Sequence, residues 1–237
     1  MAQKRRQYSY TTQRNKHRRV LLLILGFIFL FAMYNGLTTF FFSVWVIENN
    51  SMQPGLNPGD RLLFTSFALP FRAGNHSVPL RRGNVVLVNR GVTQEHRTAF
   101  LLLDSVIRFF TAQRISFLRT NEQHYVKRVI GLPGDEISMS NHIFRIRPTG
   151  SAFSFTEFEF MERPYQPSIP QSPELWDESL PFSGTMDILI LEPNEFFLAS
   201  DDRGNTNDSR TWGPVSSNFI AARAVFRFWP LTRISRQ

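Results

Sequence analysis

Cysteine is absent from all 237 residues. That excludes disulfides, thiolate metal sites and a cysteine nucleophile, and it leaves the redox compartment open. Lysine is nearly absent. Of 27 basic residues only Lys4, Lys16 and Lys127 are lysines, the rest being arginine. No G-x-S-x-G elbow surrounds any serine and no H-E-x-x-H spacing occurs among the histidines, so neither an α/β-hydrolase nor a zincin pattern is present. Charge is missing altogether from Val20 to Ile47.

What is present takes its meaning from those gaps. Residues 1–19 hold seven basic residues and no acid, while the remaining 218 hold 20 basic and 19 acidic residues. The formal charge of +8 is therefore a property of the tail. That distribution argues against a nucleic-acid-binding body. The uncharged run exceeds the roughly 20 apolar residues that cross a bilayer. It is too long for a cleaved signal peptide, whose apolar core is about 7–15 residues. The pattern predicts a basic cytoplasmic tail over 1–19, a transmembrane anchor over 20–42 and an extracytoplasmic domain over 43–237, oriented by the positive-inside rule. The helix is expected to stop near Thr39 to Phe42, with Phe40 to Ile47 turning into a strand.

Beyond the anchor the chain is expected to be mainly β and antiparallel. Asn57-Pro58-Gly59-Asp60 and Leu132-Pro133-Gly134-Asp135 are turn signals, each leading into a strand-like run, Arg61 to Phe67 and Glu136 to Ile146. Asn84 to Asn89, Tyr125 to Ile130, Asp187 to Leu191, Glu195 to Ala199 and Ala224 to Trp229 are further short β-rich runs. Residues 148–186 hold six of the 14 prolines and are expected to form an inserted, loop-rich lobe. Ala99 to Gln113 has an amphipathic helical spacing that suits either packing on the β domain or lying on lipid through Phe100, Leu103, Ile107 and Phe110.

Three stretches could carry chemistry. Ser51 follows the uncharged run at once, in a turn set by Pro54, Gly55, Pro58 and Gly59. Lys127 is the one lysine outside the tail. Buried, a lysine can lose its proton and act as a base, which arginine cannot do. Ser200 to Arg210 is dense in carboxylates, hydroxyls and arginines. A loop held by charge-assisted bonds, a solvated acidic loop, and a calcium site without the EF-hand spacing are all open readings of it.

Together these stretches resemble the type I signal peptidase (leader peptidase) family. Ser51-Met52-Gln53-Pro54 matches the S-M-x-P block, Gly83 to Val88 resembles the G-D-x-V strand, and Lys127 to Asp135 matches K-R-V-I-G-L-P-G-D at every position. Asp201, Arg203, Asn205, Asp208, Ser209 and Arg210 match the last block. The resemblance implies a Ser–Lys dyad of Ser51 and Lys127. It implies an oxyanion hole from the Ser51 backbone N–H with the Asn49 amide, and Thr206 as the hydroxyl orienting the lysine. Asp201, Arg203, Asp208 and Arg210 would be structural members of the site, with Met52 and Pro54 touching substrate. Asn84, Gly55, Ser200 and Asp202 depart from the family pattern. The implied activity is removal of signal peptides from exported preproteins after Ala-x-Ala, without cofactor or metal. The implied setting is a monomer in the bacterial inner membrane, its partners being signal peptides and the bilayer. Two rivals share the features: a conjugation-type processing peptidase of the same fold, and an inactive signal-peptide-binding membrane protein.

Overall fold

The structure is a computed structural model that describes residues 10–40, 42–66, 80–90, 107, 124–161, 165–171 and 184–237. The chain divides into two compact units, Met1–Thr39 with Glu95–Arg119, and Phe40–Gln94 with Thr120–Gln237. In the first, α1 runs from Tyr10 to Phe40. It begins inside the basic stretch, so half of the tail is helical. The segment Lys16–Tyr34 is long and apolar enough to cross a membrane. Val20 to Leu30 are exposed along it. The amphipathic stretch Ala99 to Gln113 lies outside the described residues except for Ile107, which is helical.

The second unit is antiparallel β throughout its named strands. These are β1 (Phe42–Val46), β2 (Arg61–Ser66), β3 (Val85–Asn89), β4 (His124–Gly131), β5 (Glu136–Ser140), β6 (Ile143–Arg147), β7 (Phe155–Thr156), β8 (Met186–Ile190), β9 (Glu195–Ala199), β10 (Val215–Ser216), β11 (Ile220–Trp229) and β12 (Ser235–Arg236). One sheet runs β1-β2-β11-β3-β4-β9-β10, with β12 on β11, and a second runs β7-β6-β5-β8. The run Glu136 to Ile146, expected as one strand, is instead the β5–β6 hairpin. Ser140 pairs with Ile143, and Asn141 and His142 between them have φ of 51° and 63°. Two successive positive φ values are what a two-residue turn needs to follow the strand twist.

The two Pro-Gly-Asp turns share one construction. Gly59 and Gly134 sit at φ +89° and +83°, and Asp60 N–H and Asp135 N–H close the turns onto Asn57 and Leu132 carbonyls at 3.0 Å. The aspartate then folds back. Asp60 accepts from Asn57 N–H at 3.0 Å and Asp135 from Leu132 N–H at 2.8 Å. Each carboxylate also meets an arginine, Arg227 at 3.1 Å and Arg82 at 2.8 Å. At Gly131 a Cβ would collide with Ile137 Cδ1 and lie 2.9 Å from Leu191 Cδ1. Both glycines of the Lys127–Asp135 block are thus required by geometry.

Three apolar clusters fill the unit. Ile47, Met52, Leu56, Leu62, Phe64 and Val85 centre the first. Val86, Val88, Val129, Phe196, Leu198 and Ile220 form the second. Ile130, Ile137, Phe144, Ile146 and Phe197 form the third, where the second sheet meets β4 and β9. The described parts of 148–186 are tied to this framework: Phe155 and Thr156 pair with β6, and Ser168 bridges the loop at Asp202.

Candidate active site

Ser51 lies in the loop between β1 and β2. Its neck is closed by Ile47 N–H on Asp60 O at 2.9 Å and Gly59 N–H on Ile47 O at 2.8 Å. Met52 and Leu56, both fully buried, anchor the loop in the first cluster. Met52 was expected to touch substrate. It is instead buried, because the turn folds it back into the cluster of Leu56, Leu62 and Phe64. Pro54 is exposed and lines a cleft of about 530 Å³ with Gly55, Gly83, Arg128, Tyr165, Gln166, Arg236 and Gln237. Ser51 is itself buried at 2% exposure.

Lys127 sits in β4 opposite Val86 of β3. Strand alternation places it on the face of Val129, which belongs to the second cluster. It is 1% exposed, so it does not face water as an ordinary strand lysine would. Its Nζ donates to Ser200 Oγ at 2.9 Å. Burial pushes the amine down to about 8, against the pull of Asp208, and Arg210 pushes the same way as burial. Thr206, expected to orient the lysine, does not do so. Its backbone carbonyl accepts from Thr211 Oγ1 at 2.6 Å and from Asp208 N–H at 2.8 Å, and Ser200 holds the amine. The departure from glycine at 200 was the available signal.

Arg128, on the opposite face, makes a two-pronged pair with Asp201 at 2.7 and 2.6 Å. It also donates to Gly83 O at 2.8 Å. Asp208 caps the short helix α2 (Ser209–Trp212) and accepts from Ser200 N–H at 2.8 Å. Although burial pushes its carboxyl up, bonds from Arg210 and Ser200 hold it below the usual carboxylate range. Arg210 also donates to the carbonyls of Arg203 and Asn205 at 2.8 and 2.6 Å. Arg203 is fully buried and reaches Glu157 at 2.6 Å and Tyr165 OH at 2.8 Å. Tyr165 OH in turn donates to Glu157, and burial pushes its phenol up. Glu157 and Tyr165 carry no sequence motif and were missed.

The loop from Ser200 to Arg210 joins the two candidate side chains. Ser200 holds Lys127, and two residues on Asp202 N–H donates to Ser51 O at 3.0 Å. Ser51 Oγ donates to Asn49 Oδ1 at 2.7 Å, and Ser51 N–H donates to the same oxygen at 3.1 Å. Asn49 was expected to present its amide N–H to an oxyanion. It presents its carbonyl instead, because an N–H and an O–H from Ser51 both require an acceptor. Trp45 and His124, from β1 and β4, stack at 4.4 Å.

Residues 18–229 match the family described as signal peptidase, peptidase S26. A "Signal peptidase I" of Bacillus caldolyticus is 27% identical over 205 residues, covering 85% of this chain and 87% of the relative. One of Leptolyngbya laminosa is 25% identical, covering 84% and 74%. An "Inactive signal peptidase IA" of Staphylococcus aureus is 22% identical, covering 91% and 95%.

Proposed function

The chain belongs to the signal peptidase family, peptidase S26, and on that premise we propose that it cuts signal peptides by a Ser–Lys dyad of Ser51 and Lys127. The observation that carries this reading is the buried amine. Lys127 is desolvated, has a hydroxyl partner, and titrates near 8, so a useful neutral fraction exists at physiological pH. In the reaction Ser51 Oγ leaves Asn49 and attacks the scissile carbonyl as its proton passes to neutral Lys127. The Oγ–C bond forms and the carbonyl oxygen becomes an oxyanion. Ser51 N–H, released from Asn49, is then free to donate to it. Collapse breaks the C–N bond, and Lys127 returns the proton to the leaving amine. Water, activated by the same amine, hydrolyses the ester. No metal or cofactor takes part in these steps.

Substrate would enter extended. Among the described residues β1 is an edge strand, and the first half of β4 pairs only with β3, since β9 begins its pairing at Arg128. An unpaired strand edge accepts an added strand through its backbone groups. Ala-x-Ala is the specificity the family resemblance implies. Membrane contact is supported by the span in α1 and by exposed Val44, Val46, Trp229, Leu231 and Ile234. The topology proposed is tail inside, catalytic unit outside. Cysteine labelling in this cysteine-free chain tests it: Ser9→Cys should label only after lysis, and Asn218→Cys without it. The reverse would refute the orientation.

A second reading, a protein that binds signal peptides without cutting them, is favoured by one observation: Ser51 Oγ rests on Asn49 and not on Lys127. The rate of preprotein cleavage against pH separates the two. Because Lys127 must be neutral, the rate should rise with pH through about 8 and level off above it. A rate that falls across that window removes Lys127 as the base.

A further inference from the structure

Lys127 owes its low pKa first to burial, so the atoms that cover it decide how well it works as a base. Val86, opposite it on β3, and Val129 share its face. One covering side chain is different, because it is only half-buried and comes from a four-residue helix. Trp212 ends α2. Its ring centroid lies 5.8 Å from Lys127 Nζ, and it packs on the cluster of Val86, Val88 and Val129 that shares the lysine's face. Three contacts hold the ring in place. Its Nε1–H donates to Asn207 Oδ1 at 2.8 Å. The Tyr125 ring lies against it at 5.1 Å, tilted by 58°. The Arg90 guanidinium stands 4.6 Å from its centroid. The same unit, Ser200 to Trp212, thus supplies both the hydroxyl that holds the amine and an indole beside it.

We propose that Trp212 is a positioning residue for the base: its indole is the cover that keeps the Lys127 amine out of water, and Arg90, Tyr125 and Asn207 hold that cover shut. The proposal rests on the reading of Lys127 as the general base.

An indole acts on a neighbouring amine in two opposed ways. Its bulk excludes water, which favours the neutral form. Its π face attracts the ammonium, which favours the charged form. At 5.8 Å the amine stands near the roughly 6 Å limit for that attraction. Water exclusion therefore dominates. The charged groups around the amine are fixed by other bonds. Asp208, Asp201 and Asp202 favour the ammonium, and Arg210 opposes it. Asp208 is tied to Arg210 and Asp201 to Arg128, so neither pair depends on Trp212. Removing the indole changes hydration and leaves those charges where they are.

The chain has only three lysines, which makes the amine directly visible. Full-length protein in detergent, labelled with ¹³C-lysine, gives three Cε signals, and the one lost in Lys127→Arg belongs to Lys127. Trp212→Ala should raise its titration midpoint by about one pH unit or more, towards the ordinary lysine value. The acid limb of preprotein cleavage should move by the same amount, so that the rate at pH 7 falls about tenfold. Trp212→Leu keeps an apolar cover and should hold the midpoint within about half a unit of wild type. Trp212→Gln, which is polar and does not exclude water, replaces the alanine variant if that one fails to fold. An unchanged midpoint in the alanine or glutamine variant overturns the proposal, and so does a rise in Trp212→Leu equal to that in Trp212→Ala. The lysine signal reports whether or not the protein cuts anything. A wild-type chain that titrates near 8 without cleaving preprotein would therefore count against the peptidase reading alone.

Discussion

Lys127→Arg should abolish preprotein cleavage while leaving the protein folded. Arginine keeps the positive charge and the length but cannot give up its proton. It therefore keeps the contact with Ser200 and loses the base. Removing a general base costs on the order of 10²–10⁴-fold, and in the proposed mechanism the same amine serves both acylation and deacylation, so the upper end is expected. Ser51→Ala should be equally inactive, since no other hydroxyl stands in the Asn49–Met52 turn. Lys127→Met should also be inactive but more stable than wild type at pH 7. The folded-state pKa of about 8 lies below the ordinary lysine value. At pH 7 the ammonium is buried in the folded protein and solvated in the unfolded one, which costs stability. That cost shrinks as pH rises from about 8 to the unfolded value of roughly 10.4. Thermal melts at pH 7 and pH 10.5 check this: the gap between Lys127→Met and wild type should narrow at the higher pH.

The second large effect is on stability. Arg203→Met should cost about 3–5 kcal/mol, because it strands the Glu157 carboxylate inside the protein. Both side chains are fully buried. Glu157 would keep only Phe144 N–H at 3.2 Å and Tyr165 OH. At roughly 2–4 °C per kcal/mol for a chain of this size, the melting temperature should fall by about 6–20 °C. Adding Glu157→Leu should recover most of the loss, since replacing both members of a buried pair by apolar groups is often neutral. A double variant as unstable as the single one would mean that Arg203 acts through its stacking on Phe144, at 4.5 Å, and not through the charge.

Features built from neighbouring residues were readable in the sequence. The uncharged run marked α1, a helix long and apolar enough to cross a membrane, and the two Pro-Gly-Asp turns placed β2 and β5 because φ > 0 and a back-folded aspartate are local demands. Lys127 stood out because lysine is otherwise confined to the tail. Strand alternation then put it on the Val129 face, where the structure has it. What was not readable depends on contacts between distant residues. Glu157 and Arg203 are 46 positions apart, and nothing local marks a glutamate in a short 3-10 turn as buried. Thr206 and Ser200 both carry hydroxyls beside the same carboxylates, and only the path of the loop selects Ser200. Asn49 could offer either end of its amide, and the two donors on Ser51 select the carbonyl. Met52 follows the candidate nucleophile directly and was expected to touch substrate, and only the loop folding back buries it beside Leu56. The hairpin at Asn141-His142 was hidden because histidine is an unusual second residue for such a turn.

One assay tests most directly the proposed transfer of the Ser51 proton to the neutral form of buried Lys127. Full-length wild-type protein in detergent should be mixed with an intact preprotein ending its signal sequence in Ala-x-Ala, and the rate and the new N-terminus measured from pH 6 to pH 10. A single cut directly after the last alanine is predicted, at a rate that climbs through about 8 and is lost in Ser51→Ala. Intact preprotein at every pH, or cleavage that survives Ser51→Ala, would contradict it.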